Sequence, residues 1–331
     1  MQKVLTIAMP CYNVEAYIRR GLDSLANSAF AGRLEVIVVN DGSTDKTQAI
    51  AQEYVEKYPS IFKLVNKENG GHGSAVNAGI AHASGKYFRV VDGDDWVNAE
   101  GLARTLDELE RTDASIVIDE KTEVDMTSGS RKQCLLPAKL KKLRCCSFDK
   151  VCQMPECEQY ITIHTLNVKT QLLRDNKIAL QEGIFYVDLQ YVVLATCFAK
   201  TVEFCPANVY QYLLGNASQS VSFASYANRY AHHRLMIECL LKFASENSLS
   251  QTRQDYLEYR ICQALNTNYN IGFIYDTNRK RGSANVKAFY KWLQSNYPKF
   301  AQATRKRFCA ARLLHLAGVS GPALEKLRGR G

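Results

Sequence analysis

The first 120 residues alternate between short runs of apolar, β-branched residues and longer amphipathic stretches. The short runs are typical of buried strands and lie at 4–8, 35–40, 62–65, 87–91 and 115–118. Between them, stretches such as 16–28 and 99–111 carry apolar residues at helical spacing. Strands that alternate with helices predict a parallel sheet that is covered by helices on both faces.

Polar clusters follow three of these predicted strands, at 10–13, 40–45 and 92–95. Because right-handed crossovers bring the carboxyl ends of parallel strands to one edge, we expect the clusters to share one crevice. A glycine-rich loop at 68–74 precedes a predicted helix at 75–83, and its backbone can approach a ligand closely. The loop matches neither a dinucleotide-binding fingerprint nor a P-loop.

The alternation decays after residue 120. The segment 120–158 indicates an irregular excursion or a β-hairpin over the crevice, a kind of segment that often carries substrate specificity. Beyond it we expect a helix at 162–174, a turn at 183–188 and mostly helices after residue 225. The pattern therefore predicts one domain over 1–224 and a helical, basic region over 225–331.

Composition is that of a soluble globular protein, with 46% hydrophobic and 23% charged residues in a chain of 331. The sequence has no apolar run of about eighteen residues, and its N-terminus is too short for a secretory signal, so we expect a cytosolic location. The eleven cysteines fit no zinc-binding pattern and are interpreted as reduced thiols.

The net charge of +9 is concentrated at the C-terminus, where residues 278–331 hold thirteen lysines and arginines against one acid, Glu325. Such a segment can bind an anionic membrane surface, a polyanionic substrate or nucleic acid. The alternative interpretation is a helical face whose charges are solvated. Nucleic acid is disfavoured because no recognised binding module accompanies the charge.

Three carboxylates, Asp92, Asp94 and Asp95, fall within four positions at the end of an apolar run. Carboxylates this close repel one another, and a divalent cation readily offsets that repulsion. Oxygen ligands suit Mg²⁺ or Mn²⁺, which commonly bind through one or two carboxylates together with substrate phosphates. The alternative is an acidic turn that caps the next helix.

Taken in order, these motifs resemble glycosyltransferase family 2. The similarity rests on Pro10 to Asn13, on Asn40 to Asp45, on Asn69 to Gly71 with Asn77 and Gly79, and on Asp92 to Asp95. It is clear over 1–120 and continues more weakly through Asp188 and 210–222, where it is similar to bacterial enzymes that build surface polysaccharides. The resemblance implies a GT-A fold, an α/β architecture in which helices flank a mostly parallel sheet, with a mainly helical C-terminal region.

The resemblance also implies roles for individual residues. Tyr12 would stack on a nucleobase, Asp41 would accept hydrogen bonds from the base or ribose, and Asp94 would hold a Mn²⁺ or Mg²⁺ ion at the diphosphate. Which of the three clustered carboxylates binds the metal directly stays open. The complete set implied to bind the nucleotide-sugar donor is Pro10, Tyr12, Asn13, Asp41, Asn69, Gly71, Asn77, Asp92 and Asp95.

Asp188 matches the position of the family's general base, which removes the proton of the acceptor hydroxyl. Val187 replaces the glutamate that usually precedes this aspartate, so a helix N-cap before Leu189 is the competing interpretation. His72 either reaches a phosphate from the glycine-rich loop or is simply solvated, and His164 is interpreted as structural.

The implied activity is inverting transfer of a sugar from a nucleotide-diphosphate sugar, expected to be UDP-linked, to a glycan or lipid-linked oligosaccharide in cell-surface polysaccharide synthesis. We expect residues 1–120 to hold the sugar donor and residues 121–224 to face the acceptor. The basic tail either contacts the inner face of the membrane or packs on the catalytic domain with its cationic residues in water. The QxxRW motif of processive members is absent, which indicates a non-processive enzyme. The alternatives are a sugar nucleotidyltransferase and a catalytically silent nucleotide-sugar or glycan-binding module.

Overall fold

A computed structural model describes residues 3–143, 145–215 and 222–323. The chain divides into two compact units. The first comprises Met1–Gly183 and Val187–Ala217, and the second comprises Ile184–Tyr186 and Ser218–Gly331.

The strands of the first unit form a single mixed sheet. In chain order they are β1 Leu5–Cys11, β2 Leu34–Asp41, β3 Phe62–Lys67, β4 Tyr87–Val90, β5 Trp96–Val97, β6 Ile116–Asp125, β7 Arg131–Cys134, β8 Cys146–Ser147, β9 Leu166–Lys169 and β10 Thr201–Leu214. The spatial order is β3-β2-β1-β4-β9-β6-β10-β5, with β7 paired to β6 and β8 paired to β10. The pairs β1–β2, β2–β3, β1–β4 and β6–β10 are parallel.

The helices of the first unit are α1 Ile18–Leu25, α2 Thr47–Lys57, α3 Gly71–His82, α4 Ala99–Arg111, α5 Ala138–Lys141, α6 Phe148–Cys152, α7 Thr170–Asp175 and α8 Val187–Phe198. Every residue of β1 and β2 is buried. Such burial requires that helices cover both faces of these central strands. On β2, Val36 and Val38 belong to the main core with Leu22 of α1, whereas Ile37 and Val39 face Ala75 of α3. This alternation confirms the predicted mostly parallel sheet with helices on both sides.

The expected helix at 162–174 is wrong except at its end, where α7 begins at Thr170. A short strand, β9, occupies the middle of this segment and pairs antiparallel with both β4 and β6. Leu166 and Val168 are fully buried, and the buried Asn167 amide donates to the Val117 carbonyl oxygen and to a carboxylate oxygen of Asp119. These partners lie across the sheet, so tertiary pairing overrides the apparent helical spacing.

The described part of the second unit is helical, in agreement with the prediction for the C-terminal region. Its helices are α9 Phe223–Asn228, α10 Tyr230–Glu246, α11 Gln251–Asn270, α12 Arg279–Asn296 and α13 Pro298–Leu316, with one π-helical turn at Ile271–Tyr275. A Cβ atom on Gly282 would clash with the Gly272 carbonyl oxygen, so α12 can approach this turn only through glycine. Among the described helices, none is both long and apolar enough to cross a membrane.

A buried carboxylate, Glu35, ties together four segments at the amino end of the parallel strands. Its oxygens accept hydrogen bonds from the Thr6 hydroxyl and the Lys63 ammonium, both at 2.6 Å, and from the backbone and hydroxyl of Ser84, both at 2.8 Å. Burial opposes ionisation, but these four bonds outweigh it and lower the pKa of Glu35. Ionised Glu35 therefore stabilises the sheet.

Replacing Glu35 with Gln should lower the free energy of unfolding by about 1–3 kcal/mol at pH 7, because the amide cannot accept all four bonds. Since the folded-state pKa of Glu35 is depressed, its contribution is complete above an unfolded-state pKa of about 4.3. It is lost as the pH falls through the folded-state value. Urea unfolding of both proteins at pH 7 and at pH 3.5 measures this difference, which should shrink at the lower pH.

The matched control is Glu53→Gln, since Glu53 is exposed and pairs with Arg19 at the surface. Its effect should be below about 1 kcal/mol. Equal unfolding free energies for the wild-type protein and the Glu35→Gln variant at pH 7 would contradict the role assigned to this network.

Candidate active site

The loops that follow β1, β2 and β4 meet at one edge of the sheet. The Pro10 carbonyl oxygen accepts a hydrogen bond from the Gly93 amide at 3.1 Å, which joins the β1 loop to the acidic run. The Asn13 side-chain oxygen accepts from the Thr44 amide at 2.8 Å, and the Asn13 amide donates to the Ser43 hydroxyl at 3.1 Å. Asn13 has a φ of 52°, a conformation that asparagine tolerates better than most residues. These bonds draw the loops into a shared crevice.

Asp41, at the end of β2, shapes the glycine-rich loop. Its carboxylate is 2% exposed and accepts hydrogen bonds from the amides of Gly70 at 3.0 Å and Gly71 at 2.8 Å. The Lys67 ammonium donates to the same carboxylate at 2.7 Å, and the Asn69 amide group donates to the Asp41 carbonyl oxygen at 3.0 Å. Asp41, Asn69 and Gly71 are thus all engaged in holding the start of α3.

Asn77 on α3 fixes the chain that leads to Asp188. Its side chain donates to the Leu180 carbonyl oxygen at 2.9 Å and accepts from the Leu180 amide at 2.8 Å. The Gly183 amide donates to the Gly70 carbonyl oxygen at 2.6 Å. The loop before α8 is therefore held against the glycine-rich loop. Asp188 lies in the first turn of α8.

The acidic run after β4 packs against Tyr210 of β10. The Tyr210 hydroxyl donates to one oxygen of Asp95 at 2.6 Å, and the Leu213 amide donates to the other at 2.7 Å. The Asp92 amide donates to the Tyr210 hydroxyl oxygen at 3.2 Å. Burial, together with the charges of Asp94 and Asp92, raises the pKa of Asp95, whose side chain is almost inaccessible. Asp95 anchors the run, whereas Asp92 and Asp94 are partly exposed.

His72 links this run to Asp188. Its Nε2 lies 2.8 Å from an oxygen of Asp92, and its Nδ1 lies 3.8 Å from an oxygen of Asp188. Burial opposes protonation of the ring, but Asp92, Asp188 and Asp94 outweigh it and raise the pKa of His72 to about 9. At neutral pH the ring is an imidazolium between two carboxylates.

The two carboxylates on either side of His72 differ in pKa. The net pKa of Asp92 is lowered. Burial alone would raise it, but the charge of His72 and the hydrogen bond with His72 outweigh burial. Desolvation within the crevice raises the pKa of Asp188, and the charge of Asp92 adds to this increase while His72 opposes it. The Asp188 side chain remains 58% exposed, so a substrate can reach it. A raised pKa makes this carboxylate a better proton acceptor.

His164 completes the crevice. Its ring stacks on Tyr212 with centroids 4.4 Å apart, and its Nε2 lies 3.9 Å from an oxygen of Asp92. Burial lowers the pKa of His164 to about 4, which keeps the ring neutral at neutral pH, and its buried Nδ1 has no hydrogen-bond partner within the described ranges. Asp92, Asp95 and His164 each offer one ligand atom, and these atoms lie within 4.8 Å of one another. Two carboxylates and a neutral imidazole fit a divalent cation such as Mn²⁺.

The sequence and the fold can be compared with those of known proteins. Residues 6–166 match the family model described as glycosyl transferase family 2. This segment is a glycosyltransferase family 2 domain. It contains β1 to β4, the glycine-rich loop, the acidic run and His164.

Two curated relatives come from Bacillus subtilis strain 168. One is the minor teichoic acid biosynthesis protein GgaB, 39% identical over 94 residues that cover 28% of this chain and 10% of GgaB. The other is the uncharacterized glycosyltransferase EpsJ, 38% identical over 117 residues that cover 35% of this chain and 33% of EpsJ. The matched segments thus span a third or less of either relative.

Two solved structures share the fold over most of the chain. One is Staphylococcus aureus TarS 1-349 in complex with UDP-GlcNAc, with a TM-score of 0.68 at 19% identity and coverage of 96% of this chain and 93% of TarS 1-349. The other is the mannosyltransferase PcManGT from Pyrobaculum calidifontis in complex with GDP-Man and Mn²⁺, with a TM-score of 0.53 at 17% identity and coverage of 96% and 88%. The first unit of this chain has the GT-A fold.

One buried ion pair behind the crevice is missing from the sequence-based prediction. Arg89 and Asp119 form a fully buried ion pair, and Arg89 also donates to the His164 carbonyl oxygen. The only sequence signal for this pair is a charge inside an apolar strand. For His72 the sequence offers a phosphate contact or a solvated side chain, but in the structure the ring lies between two carboxylates.

The structure brings together most, but not all, of the residues implied to bind the sugar donor. Tyr12 remains a free aromatic face, 51% exposed at the end of β1. The Asn77 side chain is bonded to the Leu180 backbone, so in this structure it holds the chain before α8. Asp94 is partly exposed beside Asp95 but does not belong to the group formed by Asp92, Asp95 and His164.

Proposed function

We propose that this protein is an inverting, metal-dependent glycosyltransferase that moves a sugar from a nucleotide-diphosphate sugar to a hydroxyl group of a glycan. One observation carries the proposal: the acidic run and Asp188, which belong to distant parts of the chain, lie on opposite sides of His72 in one crevice. A carboxylate cluster for a cation and a separate exposed carboxylate for a proton are the two requirements of this reaction.

A UDP-linked sugar is the donor that we favour. TarS, which shares the fold, binds UDP-GlcNAc and UDP. In this chain the exposed ring of Tyr12 offers a face on which a uracil ring can stack. Residues 1–120 would hold this donor, and residues 121–224 would face the acceptor.

A divalent cation would be held by the acidic run. Asp94 is our assignment from the family motif, and Asp92, Asp95 and the neutral ring of His164 are close enough to share the ion. When bound, the cation would neutralise the negative charge that gathers on the departing nucleoside diphosphate.

Asp188 would act as the general base. The acceptor oxygen attacks the anomeric carbon while the bond from that carbon to the phosphate oxygen breaks, and the bonding electrons leave with the nucleoside diphosphate. The acceptor proton passes to the Asp188 carboxylate. Attack opposite the leaving group inverts the anomeric configuration, so an α-linked donor gives a β-linked product. His72 would hold Asp188 in place through charge attraction, since its Nδ1 lies 3.8 Å from an oxygen of that carboxylate.

The acceptor that we propose is a glycan or lipid-linked oligosaccharide of a bacterial cell surface, extended non-processively in the cytoplasm. GgaB, which shares sequence with the family 2 domain, is named as a protein of minor teichoic acid biosynthesis.

The helix α13 would place the enzyme at an anionic membrane surface. Its solvent-facing side carries Arg305, Lys306 and Arg312 together with Leu313 and Leu316, which are 65% and 71% exposed. Basic residues near an anionic bilayer contribute about 1 kcal/mol each, and the leucines could enter the headgroup boundary. This contact would bring the enzyme to lipid-linked acceptors at the inner face of the membrane.

Replacing Asp188 with Asn should reduce turnover about 10²–10⁴-fold, because the acceptor loses its proton acceptor. The affinity for UDP in the presence of Mn²⁺ should stay within about twofold of the wild-type value, since a general base adds little to ground-state binding. Hydrolysis of a UDP-sugar, in which water is the acceptor, measures turnover without knowledge of the natural acceptor.

The matched control for Asp188→Asn is Asp175→Asn, an exposed aspartate at the end of α7 that should leave turnover unchanged. Full hydrolysis by the Asp188→Asn variant would show that another group accepts the proton. Absence of hydrolysis in the wild-type protein, with UDP still bound, would instead support a catalytically silent binding module.

Replacing Asp94 with Ala should weaken Mn²⁺-dependent UDP binding by at least about tenfold, because the ion loses a carboxylate. Calorimetric titration with UDP in Mn²⁺ and in EDTA separates the metal-dependent part of the affinity. Asp107→Ala, on the exposed face of α4, is the control. If the wild-type protein binds UDP equally well in EDTA and in Mn²⁺, the metal assignment is wrong.

A further inference from the structure

A second cavity of about 550 Å³ lies in the first unit, and the proposed reaction makes no use of it. Its size falls within the range of ordinary ligand pockets. The start of α4, the hairpin β6–β7 and the end of β10 form its walls. The residues that line it are Asn98, Glu100, Gly101, Arg104, Thr122, Arg131, Gln133, Asn208 and Gln211.

This cavity lies on the face of the sheet opposite the acidic run. Thr122 is the register partner of both Gln211 and Gln133, so these three side chains share one face. Tyr210 and Tyr212, on either side of Gln211, point to the other face, where they contact Asp95 and His164. The cavity and the candidate active site are therefore back to back across β10.

Apart from Gly101, every residue that lines the cavity carries an amide, hydroxyl or charged group. Thr122 and Gln211 are each only 3% exposed, so this polarity is built into the floor of the cavity. The Gln211 amide donates to the Asn208 side-chain oxygen at 2.9 Å, and Asn208 is also bonded to the Thr122 hydroxyl at 3.0 Å. Groups that both donate and accept match sugar hydroxyls, which do the same. None of these lining side chains is aromatic or a large aliphatic group.

The charge of the cavity is positive. Arg104 pairs with Glu100 at 2.6 Å, so these two charges offset each other. Arg131 donates to the neutral Gln211 side chain and has no carboxylate partner among the described residues. Its planar guanidinium is suited to a carboxylate or phosphate group.

We propose that this cavity binds a saccharide that carries an anionic group, with Arg131 on the charge and the amide side chains on the hydroxyls. The site is separate from the one that would take the nucleotide sugar. The inference stands whether or not the proposed transferase activity is confirmed, because it uses none of the crevice residues.

The test is a titration of the full chain with glucose 6-phosphate, followed by amide chemical shifts, with diamagnetic Mg²⁺ and UDP present at saturating concentration to occupy the other site. The sugar phosphate should shift the signals of the cavity residues. Replacing Arg131 with Gln should weaken its binding about tenfold, because a charge-assisted hydrogen bond is lost. The Arg131→Gln variant should bind UDP as tightly as the wild-type protein does. Failure of the wild-type protein to bind UDP would contradict only the proposed function.

Lys132→Gln is the matched control, since Lys132 lies next to Arg131 on β7 but faces the other side and pairs with Glu123. An equal loss of binding in this variant would show a nonspecific charge effect and overturn the proposal. Binding of inorganic phosphate as tight as that of glucose 6-phosphate, or binding of glucose alone with the same affinity, would also overturn it. If glucose 6-phosphate does not change the amide chemical shifts of the cavity residues in the wild-type protein, the proposal is overturned directly.

Discussion

The placement of one imidazolium between two carboxylates is the interaction on which the proposed chemistry depends. Asp92 and Asp188 come from the end of β4 and the start of α8, and His72 reaches both. Without a cation between them, two carboxylates in a partly desolvated crevice would repel each other and lower each other's tendency to ionise. The charge of His72 lowers the pKa of Asp92 and opposes the rise in the pKa of Asp188, whose side chain stays 58% exposed.

The fold supplies this arrangement through contacts behind the crevice. Asp41 binds the backbone at the start of α3, and that helix carries His72 in its first turn. Asn77, one and a half turns later, holds Leu180 and so the chain that enters α8. On the other side, buried Arg89 holds the His164 backbone. The polar residues of the motifs therefore act largely on one another, and they leave only a few groups for a ligand.

The fold and the meeting of the motif loops could be predicted from sequence because both follow from local patterns. Apolar runs such as 35–40 mark buried strands, and the polar residues after them must then lie at one edge. The resemblance of four ordered motifs to a known family gave the GT-A fold, which the structural comparison bears out.

Features that depend on long-range pairing could not be read from the sequence. The strand β9 has a sequence that also fits a helix, and only its neighbours β4 and β6 make it extended. His72 and Asp188 are separated by 116 positions in the numbering, and no local pattern relates them. The same holds for Arg131 and Gln211, which meet only because β6 lies between β7 and β10.

The most direct test of the link between His72 and Asp188 is a double-mutant cycle on kcat for hydrolysis of a UDP-sugar at saturating Mn²⁺. If His72 acts by positioning Asp188, His72→Gln should lower kcat by about 10–10²-fold in the wild-type background, as expected for a displaced catalytic group. It should have almost no further effect in the Asp188→Asn background, because the group that it positions is gone. The same factor in both backgrounds would mean that the two residues act independently and would contradict the account.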